Sequence, residues 1–341
     1  MGKLIADEIT LVHPDLIEPP RSIYFGGGTP SLLHPKHIQH IIQQIKSHFS
    51  ADCLDEITLE TNPDDHNTSR LRAWKRAGVN RLSIGIQTFN DDELRWMNRS
   101  HTAQQAFQSV EMAKRLGYKN VSIDLIYGIP NQPIDEWRRN IERAIWLHPN
   151  HISAYCLTVE EKTVLKRQIN SKLVSEKDDE VIEEEFSILR KLLQEAGYEH
   201  YELSNFALPG YRAIHNSSYW SGDPYVGFGP SAHSFDGGLM RQWNVNNNAE
   251  YMRCVGRGIR PVTTENLTLK QRTNEIIMTS LRTVEGLDFN SIPEMFRGDV
   301  IKSAAQLAGK WKNELMLEES RLRIDPDHWL ICDSIVRELI L

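Results

Sequence analysis

The stretch "RSIYFGGGTPSLL", residues 21–33, sets a short apolar strand directly against three glycines, a threonine and a proline. Glycines remove side chains where a ligand must touch backbone, and a turn that opens a helix offers free N–H groups. The loop is neither G-x-G-x-x-G nor a Walker loop, since no Lys-Ser/Thr follows it. Glycine-rich turns are common, so what this one means depends on the chain around it.

Outward from it, short β-rich runs alternate with helical patterns. The strand candidates are residues 22–25, 56–60, 81–86, 120–126, 151–159 and 199–203. Between the first two, Ile38, Ile41, Ile42, Ile45 and Phe49 recur at helical steps. Three turns, "RAGVNRLSI", "RLGYKNVSI" and "EAGYEHYEL", each put a glycine where a helix ends and a strand soon follows. This alternation predicts an α/β fold with a parallel sheet, either an open doubly wound sheet or an incomplete (β/α) barrel. The acidic run "EKDDEVIEEEF" reads as a solvated helix face. Residues 216–238, rich in Gly, Ser and aromatics, read as an extended loop. From residue 267 the pattern is helical again, and a hairpin-like "LMLEESRLRI" with a final helix suggests a small α+β domain.

Composition narrows the function classes. The 341 residues are 40% hydrophobic and 25% charged, with a net charge of −7, which gives no electrostatic case for nucleic acid. A winged-helix reading of residues 267–341 is disfavoured because its basic residues are matched by acids. No apolar run reaches membrane-spanning length and the N-terminus lacks signal-peptide character, so a cytoplasmic protein is expected. Cys53, Cys156, Cys254 and Cys332 lie far apart and form no C-x-x-C clip.

In parallel α/β folds ligands bind at the carboxyl ends of the strands. Those ends carry Gly26, Gly27, Gly28 and Thr29, then Glu60, then Gln87, then Asp124, and finally Tyr155 and Thr158. Glu60 and Asp124 either grip ligand hydroxyls, act as an acid/base pair, or serve as caps and ion-pair partners. His34, His37 and His40 resemble a metal stripe, but they spread around a helix, His34 precedes Pro35 and falls outside it, and no acid or cysteine completes a metal shell. "IHNSSYW", with His215, Asn216, Tyr219 and Trp220, and "GPSAHSF", with His233, either ligate a heme iron or pack at a domain junction.

Taken together, "IYFGGGTPSLL", "ITLETNPD", "NRLSIGIQTF", "MNRSH", "VSIDLIYGIP" and "HNSSYW" resemble the HemN/HemW group of radical SAM proteins over nearly the whole chain, and the H-N-x-x-Y-W element resembles its heme-chaperone side. The resemblance implies a radical SAM partial barrel over residues 1–205, a family-specific loop region over 206–265 and a small helical C-terminal domain over 266–341. It implies that Gly26, Gly27, Gly28 and Thr29 lie against the methionyl amino group of S-adenosylmethionine. Glu60, Gln87 and Asp124 match positions that contact that cofactor, and Arg99 matches an arginine that pairs with its carboxylate. His215, Asn216, Tyr219 and Trp220, with His233 as a second choice, become the heme candidates. The implied function is heme binding and delivery to recipient hemoproteins, with peripheral membrane association and a homodimer left open. Oxidative decarboxylation of coproporphyrinogen III and a cluster-free binding or scaffold role are the alternatives.

Members of that group begin with a strand and a C-x-x-x-C-x-x-C loop that holds a 4Fe–4S cluster. The sequence contains no such motif. The resemblance therefore implies a chain that starts about one strand and one loop late, with "KLIADEITL" as the helix after the cluster loop. It implies no cluster, no reductive cleavage of S-adenosylmethionine, and an unpaired parallel edge at residues 22–25.

Overall fold

β1 (Ser22–Phe25) is the outer strand of a seven-stranded sheet ordered β1-β2-β3-β4-β5-β7-β6. The computed structural model describes residues 1–14 and 18–341. Helix α1 (Gly2–Ile9) precedes β1. After the glycine loop and a 3-10 turn come α2 (Pro35–His48), β2 (Glu56–Thr61), α3 (Thr68–Ala77) and β3 (Arg81–Gln87). Then follow α4 (Asp91–Trp96), α5 (Ala103–Arg115), β4 (Asn120–Tyr127), α6 (Ile134–Leu147) and β5 (His151–Cys156). β1 to β5 pair in chain order and in parallel, as repeated βα units require. This is a curled half-barrel sheet with a helical C-terminal region, the partial barrel that the resemblance implies.

Local chemistry explains the elements. Asn67 caps α3 by accepting from Arg70 N–H, and Thr102 with Gln105 forms a full capping box on α5. α3 ends at Gly78 with φ +111°, a conformation that penalises any side chain; Gly117 and Gly197 end α5 and α8 (Asp179–Glu195) with the same sign. The inner strands are apolar towards the helices: Leu59, Leu82, Ile84, Ile123 and Ile152 pack with Trp74, Ile141 and Leu189 in one core. Trp74 and Trp137 are fully buried, and truncating either to alanine would cost about 3–5 kcal/mol.

Three expectations need correction. β5 ends at Cys156, not at 159, because its neighbour β4 offers no partner beyond Tyr127. After α7 (Val164–Asn170) and α8, β6 (Glu199–Glu202) turns back into β7 (Asn205–Ala207). β7 is antiparallel and inserts between β5 and β6, so the sheet is mixed rather than parallel. Residues 216–238 are not an extended loop. Ile214–Ser221 form α9 and His233–Phe235 form β8, which joins β9 (Met240–Asn244) and, beyond α10 (Asn248–Val255), β10 (Val262–Asn266) in an antiparallel sheet. The last elements are α11 (Leu269–Ser280), β11 (Leu287–Asp288), α12 (Glu294–Lys310), β12 (Leu315–Leu317), β13 (Arg321–Ile324) and α13 (Cys332–Leu339). β12 and β13 form the expected hairpin.

Candidate functional site

The carboxyl ends of β1 to β4 meet at one mouth, and the register shows which side chains share its inner face. Gly26 follows β1 with no room for a side chain: a Cβ there would lie 2.6 Å from Tyr24 Cε1 and 3.0 Å from Glu60 Oε1. Gly27 and Gly28 take φ of +74° and +59°, and a Cβ at either would meet nothing within 4 Å, so their backbone borders open space. Thr29 is exposed and begins the 3-10 turn. The loop therefore presents bare peptide towards open space.

Glu60 anchors that loop from β2. Its Oε1 accepts from Tyr24 Oη at 2.7 Å and its Oε2 from Gly27 N–H at 3.2 Å. Ser83, the register partner of Glu60, donates to Asp124 Oδ1 at 3.3 Å. Burial and the neighbouring Glu60 push the Asp124 carboxyl up to about 6. Asp124 pairs in register with Ser153, Ser153 with Asn205, and Asn205 with Glu202. This row crosses the sheet on one face, and Glu202, buried and with one carboxyl oxygen unpartnered among the described residues, is itself raised to about 7 by burial. Tyr155, 44% exposed, stands two residues beyond Ser153 on the same side.

Gln87 ends β3 with φ +70°, and its Nε2 would lie 3.0 Å from a Cβ built on Gly85. Arg99 lies in the loop after α4, half-buried, where it adds to the burial that lowers the His101 pKa, with no hydrogen bond or ion pair to its guanidinium among the described residues. The expected S-adenosylmethionine contacts thus fall at one mouth, with Arg99 on its flanking loop.

The heme candidates lie elsewhere, on and around α9. Glu56, at the opposite end of β2, accepts from the backbone N–H of Ile214 at 3.0 Å and of His215 at 3.2 Å. A carboxylate at a helix N-terminus meets two of its free donors, which explains why this polar segment is helical. His215 stacks on Tyr24, with ring centroids 4.8 Å apart and planes 16° from parallel. Its Nδ1 lies 3.1 Å from Ser22 Oγ and its Nε2 3.2 Å from Tyr219 Oη. Burial holds the imidazole down at about 4, so the ring is neutral near pH 7. Tyr219 is exposed, while Asn216 and Trp220 are half-buried on the same helix. His233 is exposed on β8 beside Trp243, at 6.1 Å between centroids, and belongs to a different sheet.

Sequence reasoning missed Tyr24, Glu56, Ser83, Ser153, Asn205 and Glu202. Strand alternation from Glu60 and Asp124 would have found Ser83 and Ser153, since residues two apart share a face. His34 caps α2 by accepting from Lys36 N–H, consistent with its place outside the helix. No group of three metal-binding side chains occurs among the described residues.

Residues 4–144 match the radical SAM superfamily. The chain is 31% identical over 308 residues to "Heme chaperone HemW" of Lactococcus lactis, covering 90% of this chain and 81% of that one. It is 34% identical over 287 residues to the protein of the same name from Bacillus subtilis, covering 83% and 74%. The chain belongs to the HemW group of the radical SAM superfamily. A mitochondrial relative, "Radical S-adenosyl methionine domain-containing protein 1" of Danio rerio, is 34% identical over 94% of this chain and 75% of its own. In fold the chain resembles HemN, the coproporphyrinogen III oxidase of Escherichia coli, with a TM-score of 0.79 over 99% of this chain and 82% of that one at 21% identity.

Membership of a HemW-type radical SAM group implies S-adenosylmethionine and a 4Fe–4S cluster, and the residues fit the two unequally. The bare Gly26–Gly28 cradle, the Glu60 and Asp124 carboxylates and the unpaired Arg99 suit a zwitterionic amino acid carrying a sulfonium charge. The cysteines present do not suit a cluster. Cys53 is exposed, Cys332 is buried, and burial raises the Cys156 and Cys332 thiols to about 11, the reverse of what a thiolate ligand needs. No helix of the described residues is long and apolar enough to cross a membrane.

Proposed function

We propose that this chain is a heme-binding protein that passes heme to recipient hemoproteins, and that it binds S-adenosylmethionine at the half-barrel mouth. The observation that carries the proposal is the sharing of β1. The strand that leads into the glycine cradle also carries Ser22 and Tyr24, two of the residues that hold His215. The curated relatives named as heme chaperones support the heme part. Heme binding by α9 and its surroundings does not require the cluster that the cysteines present cannot hold. In this reading Gly26, Gly27, Gly28, Thr29, Glu60, Gln87, Asp124 and Arg99 serve S-adenosylmethionine. Tyr219 and Trp220 serve as aromatic contacts for the macrocycle, with Asn216 beside them. His215 is the iron ligand and His233 the second choice. Residues 1–205 hold the cofactor, 206–265 the heme and 266–341 pack behind them, in a protein working in the cytoplasm or at a membrane face.

The test is a heme titration of the purified 341-residue chain followed at the Soret band, with iron and sulfide assayed on the same sample. Saturation near one heme per chain is expected, with a shifted or weakened Soret band in His215→Ala. Absence of saturable binding would overturn the function, and an unaltered His215→Ala spectrum would move the ligand to His233.

A further inference from the structure

Tyr24 stands between two groups of residues that serve different ligands in the reading above. It lies two positions before the first glycine, on β1, and its hydroxyl donates to Glu60 Oε1 at 2.7 Å. Gly27 N–H holds the other oxygen of the same carboxylate at 3.2 Å. Glu60 is thus gripped from both ends of the segment Tyr24–Gly27, with its remaining lone pairs free to accept from a ligand at the cradle. Gly26 completes the arrangement, because any Cβ there would strike the Tyr24 ring. The face of that ring is the platform on which His215 stacks at 4.8 Å. Burial and Glu60 raise the phenol far above its ordinary range, so the hydroxyl remains a donor at every physiological pH.

We infer that Tyr24 is a positioning residue with two separable roles: its hydroxyl fixes the Glu60 carboxylate to receive a ligand ammonium, and its ring holds the His215 imidazole in a stacked position. The hydroxyl half rests on the S-adenosylmethionine reading of the cradle; the ring half does not. The physical reason for the first half is preorganisation. A carboxylate that turns freely pays entropy when it binds a cation, whereas one held by two donors has already paid it. For the second half, ring faces 4.8 Å apart and 16° from parallel fix the plane of the imidazole.

Tyr24→Phe removes the hydroxyl and keeps the ring, while Tyr24→Leu removes both. Affinity for S-adenosylmethionine is measured by calorimetry on the full chain for wild type, Tyr24→Phe, Glu60→Gln and the double variant. The ring-proton shifts of His215, which a stacked aromatic face displaces upfield, are followed by NMR with no ligand present. Tyr24→Phe should weaken S-adenosylmethionine about tenfold, the worth of one hydrogen bond to a charged group, and should add nothing further in the Glu60→Gln background. Its His215 ring-proton shifts should match those of wild type, which also serves as the folding control. In Tyr24→Leu the upfield displacement should be lost.

Wild-type affinity in Tyr24→Phe, or losses that add independently to those of Glu60→Gln, would overturn the hydroxyl role. His215 ring-proton shifts indifferent to Tyr24→Leu would overturn the ring role. A wild-type chain that binds no S-adenosylmethionine overturns the cradle reading and the hydroxyl role with it, while the NMR shifts still decide the ring role.

Discussion

Replacing Glu8 by alanine should lower the melting temperature by roughly 4–7 °C, and the figure follows from one buried carboxylate. Glu8 lies on α1 with 0% exposure. It accepts from Gly229 N–H at 2.8 Å, Asn244 Nδ2 at 2.7 Å, Tyr251 Oη at 2.6 Å and Arg260 Nε at 3.0 Å. All four donors come from the segment that carries β8 to β10, so this single side chain ties the helix before the cradle to that segment. Without it the Arg260 guanidinium, only 14% exposed, loses its ion-pair partner. Breaking such a pair by removing one member costs about 3–5 kcal/mol. An unfolding entropy of about 2.1 cal/mol/K per residue gives on the order of 0.7 kcal/mol/K for 341 residues, hence the range above. The assay is calorimetric melting of wild type, Glu8→Ala, Arg260→Ala and the double variant. The double variant should melt well above the sum of the two single losses, because removing the second partner releases an already orphaned charge. A Glu8→Ala melting point within a degree of wild type, or strict additivity, would refute the reasoning.

Two further outcomes follow from the cradle and from the two titrating groups. Gly26→Ala forces a Cβ against Tyr24 and Glu60, a strain of about 1–3 kcal/mol, and should weaken S-adenosylmethionine at least fivefold. Gly298→Ala in α12, where a Cβ meets nothing within 4 Å, should leave affinity unchanged in the same calorimetric assay, and equal losses in both would refute the cradle. His215 and Asp124 should give opposite pH slopes in melting experiments. His215 has a folded value of about 4, below its unfolded 6.5, so the native state binds fewer protons and stability falls as pH drops through that window. Asp124 has a folded value of about 6, above its unfolded 3.8, so the native state binds more protons and stability falls as pH rises through that window. His215→Gln should flatten the first slope and Asp124→Asn the second; a variant with the wild-type slope would refute that assignment.

What the sequence made legible was whatever depends on neighbours along the chain. The strand ends could be read because β1 to β5 pair in order, so Glu60 and Asp124 fall on one mouth once each strand is found. The glycine stops at Gly78, Gly117 and Gly197 were equally local. α9 was illegible for the opposite reason. Its first N–H groups are met by Glu56, 158 positions earlier, and its own sequence is polar and short. β7 escaped because three residues carry no period, and only pairing with both β5 and β6 makes them a strand. Arg99 was placed by resemblance, since nothing in its own surroundings marks an unpaired guanidinium as a ligand group.

The inner face of the half-barrel has a consequence that follows from its charges alone. Glu60, Asp124 and Glu202 all face one space, and the raised values of Asp124 and Glu202 are first the cost of burying a carboxylate and, for Asp124, also the cost of standing near Glu60. A cation entering that space reverses the second cost. It favours ionised Asp124, so binding a sulfonium or ammonium group near neutral pH releases part of a proton. Affinity for such a ligand therefore rises with pH through the folded values of Asp124 and Glu202, about 6 and about 7, and levels off above them. A neutral ligand in the same space shows no such dependence. The arrangement thus favours a positively charged occupant over a neutral one by electrostatics, before any contact specific to the adenosine or the methionyl chain is made.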